Sequence, residues 1–202
     1  MIEVLFIRHG ATVGNLEHRY IGRTDEPLCP EGIAQLEALE RRHLHADILF
    51  VSPMRRTRQT AALLFPAQEQ TVMTDFRETD FGDFEGKTAA ELADNAAYAA
   101  WLDTLCKGAI PHGESVAAFK ARCCAAFAEA MAGVKDGATV ALVTHGGIIM
   151  AILEEYARPK RDFYSYHIGN GEMIVAAYEY SKDSERVTIV LEGSCSLIKS
   201  GM

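Results

Sequence analysis

Four short stretches of this chain carry side chains suited to handling an anionic phosphoryl group. Arg8-His9-Gly10 closes the apolar run Glu3-Val4-Leu5-Phe6-Ile7, and His145-Gly146-Gly147 closes the run Thr139–Thr144. Ser52 ends a third apolar run, Asp47–Val51, with Arg55, Arg56 and Arg58 just beyond it. Glu78 lies in the segment 75–87, which has neither helical nor strand period and holds Asp75, Glu78, Asp80, Asp83 and Glu85. A neutral imidazole can attack phosphorus, guanidinium forks match phosphate oxygens, and a carboxyl group can carry a proton to a leaving oxygen. Phosphoryl transfer asks for those three things and little more. Each piece also has a plainer reading. His9 can be a satisfied core histidine, His145 part of a glycine turn, the arginines a solvated face, and Glu78 one surface carboxylate among many. The case for chemistry is that three of the pieces recur at strand ends, where the ligand sites of open α/β sheets collect.

The elements that must hold these residues follow from periodicity. Apolar positions Ile33, Leu36, Leu39 and Leu44 predict a helix from about Pro30 to Leu44, with proline in its first turn. Ser52-Pro53 reads as N-cap and first helical position of a helix through Phe65. A short strand is expected at Thr71–Thr74, a helix Ala89–Leu105 capped by Thr88, and an alanine-rich helix from Ser115 to about Met131. A helix Ile148–Tyr156 follows the second histidine. Met173–Tyr180 and Val187–Leu191 read as a late antiparallel pair of edge strands. Strands separated by helices imply an α/β three-layer sandwich, mostly parallel, with helices on both faces. One domain over residues 1–202 is expected, with a small helical cap-like insertion around 75–115.

Composition narrows the class. The 202 residues are 49% apolar, enough for a sizeable core, and the net charge of −8 argues against a general nucleic-acid binder. No apolar run reaches the roughly 18 residues of a membrane span, and the N-terminus lacks a signal-peptide pattern. Five cysteines (Cys29, Cys106, Cys123, Cys124 and Cys195) show no zinc spacing and read as reduced thiols of a cytoplasmic protein. His18, His43, His45 and His167 show no ligand spacing either.

These motifs in this order resemble the histidine phosphatase superfamily, also called phosphoglycerate mutase-like. The likeness runs from Leu5 to about Asn170. Leu5–Thr12 with Asn15 resembles the signature block, and Arg19–Asp25 with Pro27-Leu28 the next. Ser52–Ala61 resembles the second-arginine motif, Phe76–Gly86 the acid loop, and Val143–Gly147 the second-histidine motif. The resemblance implies that His9 is the nucleophile and Glu78 the proton donor. Arg8, Arg56, Asn15 and His145 would hold the phosphoryl oxygens. It adds Ile21, Gly22 and Gly146 to the substrate contacts and leaves Arg55 at a variable position. Neutral His9 would attack through one ring nitrogen while the other donates to a nearby carbonyl. No metal and no cofactor are expected, because protein cations surround the phosphate. The expected partner is a small-molecule phosphate ester, bound by a monomer or homodimer. The motifs are most similar to the short bacterial branch that contains α-ribazole phosphatase. A cofactor-dependent phosphoglycerate mutase is the alternative, disfavoured because Glu91–Pro111 holds one lysine and no arginine. A catalytically inactive binding module is a further alternative, disfavoured by the intact His9, Arg56, Glu78 and His145. Two departures stand out: His112 replaces a customary glycine beside Glu114 and Ser115, and Cys29 replaces a serine or threonine, where it is expected to cap poorly.

Overall fold

The computed structural model describes residues 1–38, 44–181 and 186–196. Its strands are β1 (Ile2–Arg8), β2 (Ile48–Val51), β3 (Thr71–Val72), β4 (Thr139–Thr144), β5 (Glu172–Ser181) and β6 (Arg186–Ser196). The helices are α1 (Val13–Leu16), α2 (Pro30–Glu37), α3 (Arg55–Leu64), α4 (Ala96–Asp103), α5 (Val116–Met131) and α6 (Gly146–Tyr156). The strands form one sheet in the order β3-β2-β4-β1-β5-β6. Pairings β1–β4, β2–β4 and β2–β3 are parallel, while β5 and β6 add an antiparallel margin. The expected mixed, mainly parallel sheet is thus observed. Among the described residues, no helix is long and apolar enough to cross a membrane.

Alternation along the central strands divides the core. Val4 and Phe6 of β1, with Val140 and Leu142 of β4, face α5 and α6 through Phe119, Phe127, Ile148 and Ile152. Leu5 and Ile7, with Ala141 and Val143, face α2 and α3 through Leu36, Ala61 and Leu64. Because both faces are covered, these strands read as continuous apolar runs rather than as alternating ones. A third apolar cluster, Phe84, Leu92, Tyr98, Trp101 and Ile110, packs with Tyr20 and Phe81.

Several sequence-based boundaries move for identifiable reasons. The helix expected at 89–105 is instead a run of turns followed by α4, because Asn95 caps a new start. Its side chain accepts from the N–H groups of Ala97 and Tyr98. Ser52 is not an N-cap: Met54 takes that position and α3 begins at Arg55. The Arg55 N–H is satisfied from outside the helix, donating to Asp25 Oδ1 at 2.6 Å. The expected β3 shortens to two residues, and α6 begins at Gly146 rather than Ile148. The helix expected to Leu44 is seen to Glu37; Leu39 and His43 lie outside the described residues. Cys29 does cap α2, its Sγ accepting from the Gly32 N–H at 3.3 Å, so sulfur replaces the usual hydroxyl. Cys29, Cys106, Cys123 and Cys124 are free thiols, and Cys123 is fully buried within α5.

Candidate active site

Strand register brings the three strand-end motifs together. Arg8 pairs with Thr144, and Val51 with Val143, so the residues that follow leave the sheet at one level. The ladder continues just past the strands: the His9 N–H donates to the Thr144 carbonyl, and the Ser52 N–H to the Val143 carbonyl. The His9 and His145 rings meet edge to face with centroids 5.2 Å apart.

Both imidazoles are buried. Burial, then the charges of Arg56 and Arg8, push the His9 pKa well below its ordinary 6.5. The same burial and the Arg56 charge act on His145, joined by its neighbour His9 and by Arg8. Both rings are therefore neutral at physiological pH. His9 Nδ1 lies 2.7 Å from the Gly10 carbonyl, a group that can only accept, so Nδ1 carries the proton and Nε2 the lone pair. Gly10 is itself anchored by its N–H to Thr60 Oγ1.

The cations are held by carbonyls. Arg56 is 1% exposed, and its Nη1 and Nη2 donate to the Thr24 and Gly22 carbonyls. Arg8 Nη1 donates to the Ile168 carbonyl at 2.7 Å. Burial lowers the pKa of both guanidinium groups, while nearby Glu78 opposes the shift. Among the described residues, Arg8 Nε, Arg56 Nε and His145 Nδ1 are buried nitrogens without a hydrogen-bond partner. Leaving such groups unpaired is costly, and an anion placed beside them would remove the cost.

Glu78 projects from the acid loop to the start of α6. Its Oε2 accepts from the Gly147 N–H at 3.0 Å, and Oε1 from the Thr79 N–H at 2.9 Å. A Cβ on Gly147 would stand 2.4 Å from Glu78 Oε1, so a glycine is needed for this approach. Glu85 ties the acid loop to the loop after α1, accepting from the Gly22 and Thr24 N–H groups through one oxygen and from Phe81 N–H through the other.

Most of the residues singled out in the sequence converge here, in different ways. Arg8, His9, Arg56, Glu78, His145 and Gly146 gather at the sheet edge. Asn15 joins them through its Oδ1, which accepts from Asn170 Nδ2 and from the Thr12 N–H, leaving its amide NH2 to donate. Gly22 acts through its backbone: a Cβ there would stand 1.7 Å from the Thr79 carbonyl oxygen. Ile21 packs against Gly14 and does not line the neighbouring cavity. Arg55 is exposed, and His112, its backbone left-handed at φ 54°, turns an exposed ring to Asp83. Sequence reasoning missed Asn170, which bridges the His9 carbonyl and Asn15 from the turn before β5. Its only sequence signal is an asparagine between two glycines.

Arg8, Glu78, Gly146 and Gly147 also wall a cavity of about 410 Å³. Its remaining lining is largely apolar and aromatic: Tyr20, Phe81, Trp101, Phe119, Phe163 and Tyr164 are among the contributors. A larger hollow of about 1040 Å³ opens near Met1, Met131 and Tyr178, at the opposite end of β1, and contains none of the site residues. Among the described residues, no group of three or more His, Cys, Asp or Glu side chains is placed to hold a metal ion.

A buried histidine pair flanked by arginines lies at the carboxyl edge of this sheet, an arrangement suited to an anion. Residues 4–189 match the model of the histidine phosphatase superfamily (branch 1), and the chain belongs to that family of phosphatases and mutases. It is 34% identical over 154 residues to a probable phosphoglycerate mutase, GpmB, of Proteus mirabilis, covering 72% of this chain and 70% of that one. It is 28% identical over 173 residues to the adenosylcobalamin/alpha-ribazole phosphatase of Salmonella typhimurium, covering 82% of this chain and 85% of the other. The fold matches an Escherichia coli K-12 structure provisionally assigned as an alpha-ribazole-5'-P phosphatase, with TM-score 0.82 and 21% identity over 100% and 99% of the two chains. TTHB049 of Thermus thermophilus aligns with TM-score 0.68 and 30% identity over 92% of this chain and 95% of that one.

Two predictions follow from this geometry. Arg56→Lys exchanges a buried fork for a point charge and is expected to lower turnover on every phosphate ester by about 10²–10³. Arg55→Lys is expected to stay within a small factor of wild type, and the reverse pattern in steady-state kinetics would place the role on the wrong arginine. The second concerns pH. Because folding lowers both histidine pKa values from 6.5, the unfolded chain binds more protons than the native one below that pH. That stability is present above about pH 6.5 and falls with acidification, by up to about 1.4 kcal/mol per pH unit for each histidine, until the pH reaches its lowered native pKa. Urea unfolding at pH 7.5, 6.5 and 5.5 is expected to show this loss, and the His9→Ala/His145→Ala double variant a flatter profile.

Proposed function

We propose that this chain is a phosphomonoesterase that hydrolyses a small-molecule phosphate ester through a phosphohistidine on His9. The observation that carries the reading is the neutral, buried His9, its Nδ1–H spent on the Gly10 carbonyl, beside the unpartnered nitrogens of Arg8, Arg56 and His145. The Nε2 lone pair forms the N–P bond as the P–O bond to the leaving group breaks. Glu78, as the carboxylic acid, gives its proton to the departing alkoxide oxygen. Water then attacks phosphorus, Glu78 takes back a proton, and the N–P bond breaks to release inorganic phosphate and neutral His9. Arg8, Arg56, Asn15 and His145 hold the nonbridging oxygens during both displacements. The protein supplies these cations, and no metal takes part in the scheme.

For the substrate we favour α-ribazole 5'-phosphate, whose leaving group is the α-ribazole 5'-alkoxide. The aromatic wall of the adjoining cavity suits a flat heterocyclic base, and the Salmonella typhimurium relative is named an adenosylcobalamin/alpha-ribazole phosphatase. In this reading residues 75–115 act as a cap that shapes the leaving-group side. The mutase reading draws on the GpmB relatives; beyond Arg8 the cavity wall carries the lysines Lys107 and Lys120, and Lys120 is already paired with Glu154, which leaves little for a second, highly anionic phosphoglycerate.

Phosphate release from α-ribazole 5'-phosphate, sugar phosphates and 3-phosphoglycerate, with isomerisation of the last followed in trace 2,3-bisphosphoglycerate, tests the assignment. The expected result is hydrolysis, fastest for α-ribazole 5'-phosphate, with little isomerisation; formation of 2-phosphoglycerate well above phosphate release overturns it. Glu78→Gln is expected to lose far more activity on an alkyl phosphate than on p-nitrophenyl phosphate, whose leaving group needs little protonation. Equal losses on the two esters would remove Glu78 from the donor role.

A further inference from the structure

We propose that Ser52 is a positioning residue that sets the tautomer of His145, so that His145 presents an Nδ1–H donor rather than a lone pair to the phosphoryl oxygens. The inference rests on the phosphoryl-binding role proposed above for His145. Ser52 is completely buried, and its backbone leaves it little freedom. Its N–H donates to the Val143 carbonyl, and its own carbonyl accepts from Thr57 Oγ1. Its hydroxyl lies 2.8 Å from His145 Nε2; the other contact of that oxygen is the Met54 N–H, at a long 3.5 Å.

A backbone N–H can only donate, so among the described contacts the Ser52 hydroxyl hydrogen has one acceptor, His145 Nε2. If Nε2 carried the proton instead, that hydroxyl hydrogen would be buried without a partner. Nε2 therefore holds the lone pair. A neutral His145 must then carry its proton on Nδ1, which is the nitrogen without a partner. Although His145 sits at the N-cap of α6, its ring makes no capping bond. Glu78 Oε2 takes the Gly147 N–H that such a cap would serve, so His145 Nδ1 is not drawn into the helix.

The opposite tautomer would set a lone pair against oxygens that carry lone pairs and negative charge. Ser52 thus decides the sign of the interaction without touching the substrate. The start of α3 fits this role: with Asp25 satisfying Arg55 N–H, the Ser52 hydroxyl is not spent on the helix.

The direct test is long-range ¹H–¹⁵N NMR on histidine-labelled native protein, together with inorganic phosphate binding by Ser52→Ala. The expected spectrum shows His145 protonated at Nδ1 and bare at Nε2. Ser52→Ala is expected to show mixed tautomers, weaker phosphate binding, and turnover lowered about tenfold, below the 10²–10³ typical of losing such a donor outright. A native His145 protonated at Nε2 overturns the proposal, as does a folded Ser52→Ala protein with the native tautomer and unchanged phosphate affinity. If Ser52→Ala does not fold, the native spectrum decides alone. A native protein with the assigned tautomer that releases phosphate from no ester would overturn the phosphatase reading while supporting the role of Ser52.

Discussion

The guanidinium of Arg56 is almost wholly withdrawn from water, and much of the surrounding structure is arranged so that this charge can stay there. An unpaired buried cation is among the most costly features a fold can contain. Here two of its nitrogens spend their hydrogens on the Gly22 and Thr24 carbonyls rather than on a carboxylate partner. The loop after α1 must therefore lie where those carbonyls are needed, and Glu85 holds it there through the Gly22 and Thr24 N–H groups. Since Glu85 belongs to the acid loop, the segment carrying Glu78 is fastened to the segment that cradles Arg56. The cation remains short of one partner, and that deficit is what makes the crevice receptive to an anion.

Helix starts are handled in the same economical way. The first turn of α3 is served by Asp25 and that of α6 by Glu78, both from distant loops. In each case a side chain close to the helix start is kept for another purpose. Ser52 turns to His145, and His145 keeps Nδ1 unpartnered within the site. Capping from a distance thus links loop placement to the state of the buried imidazoles, since a shift of the acid loop would expose the start of α6 to the His145 ring.

The sequence-based reading succeeded where short-range rules govern. Continuous apolar runs identified β1, β2 and β4, and abrupt strand ends located His9, Ser52 and His145. It failed where a backbone group found its partner far away. Ser52-Pro53 has the local form of a helix cap, but Asp25 took that function. At Thr88 the failure was local instead: Thr88 bonds to Glu91 as a cap would, yet Asn95 caps a second start a few residues on. Asn170 carried no signal beyond its glycine neighbours, because its importance lies in touching His9 and Asn15, more than 150 residues away.

By itself the sequence determined the order of elements, the two-sided burial of the central strands, and the residue types gathered at their ends. These depend on side-chain periodicity and on breaks in it, which are local properties. The tertiary structure alone decided which nitrogen of each histidine holds the lone pair, which oxygen satisfies each helix start, and which carbonyls hold the Arg56 guanidinium out of water. Those outcomes depend on hydrogen-bond partners and on exclusion of water, and both are set by strand register and loop packing across the whole chain. Arg55 and Arg56 make the point: adjacent in sequence and alike in chemistry, one is exposed to solvent and the other is held beneath the loop that it helps to fold.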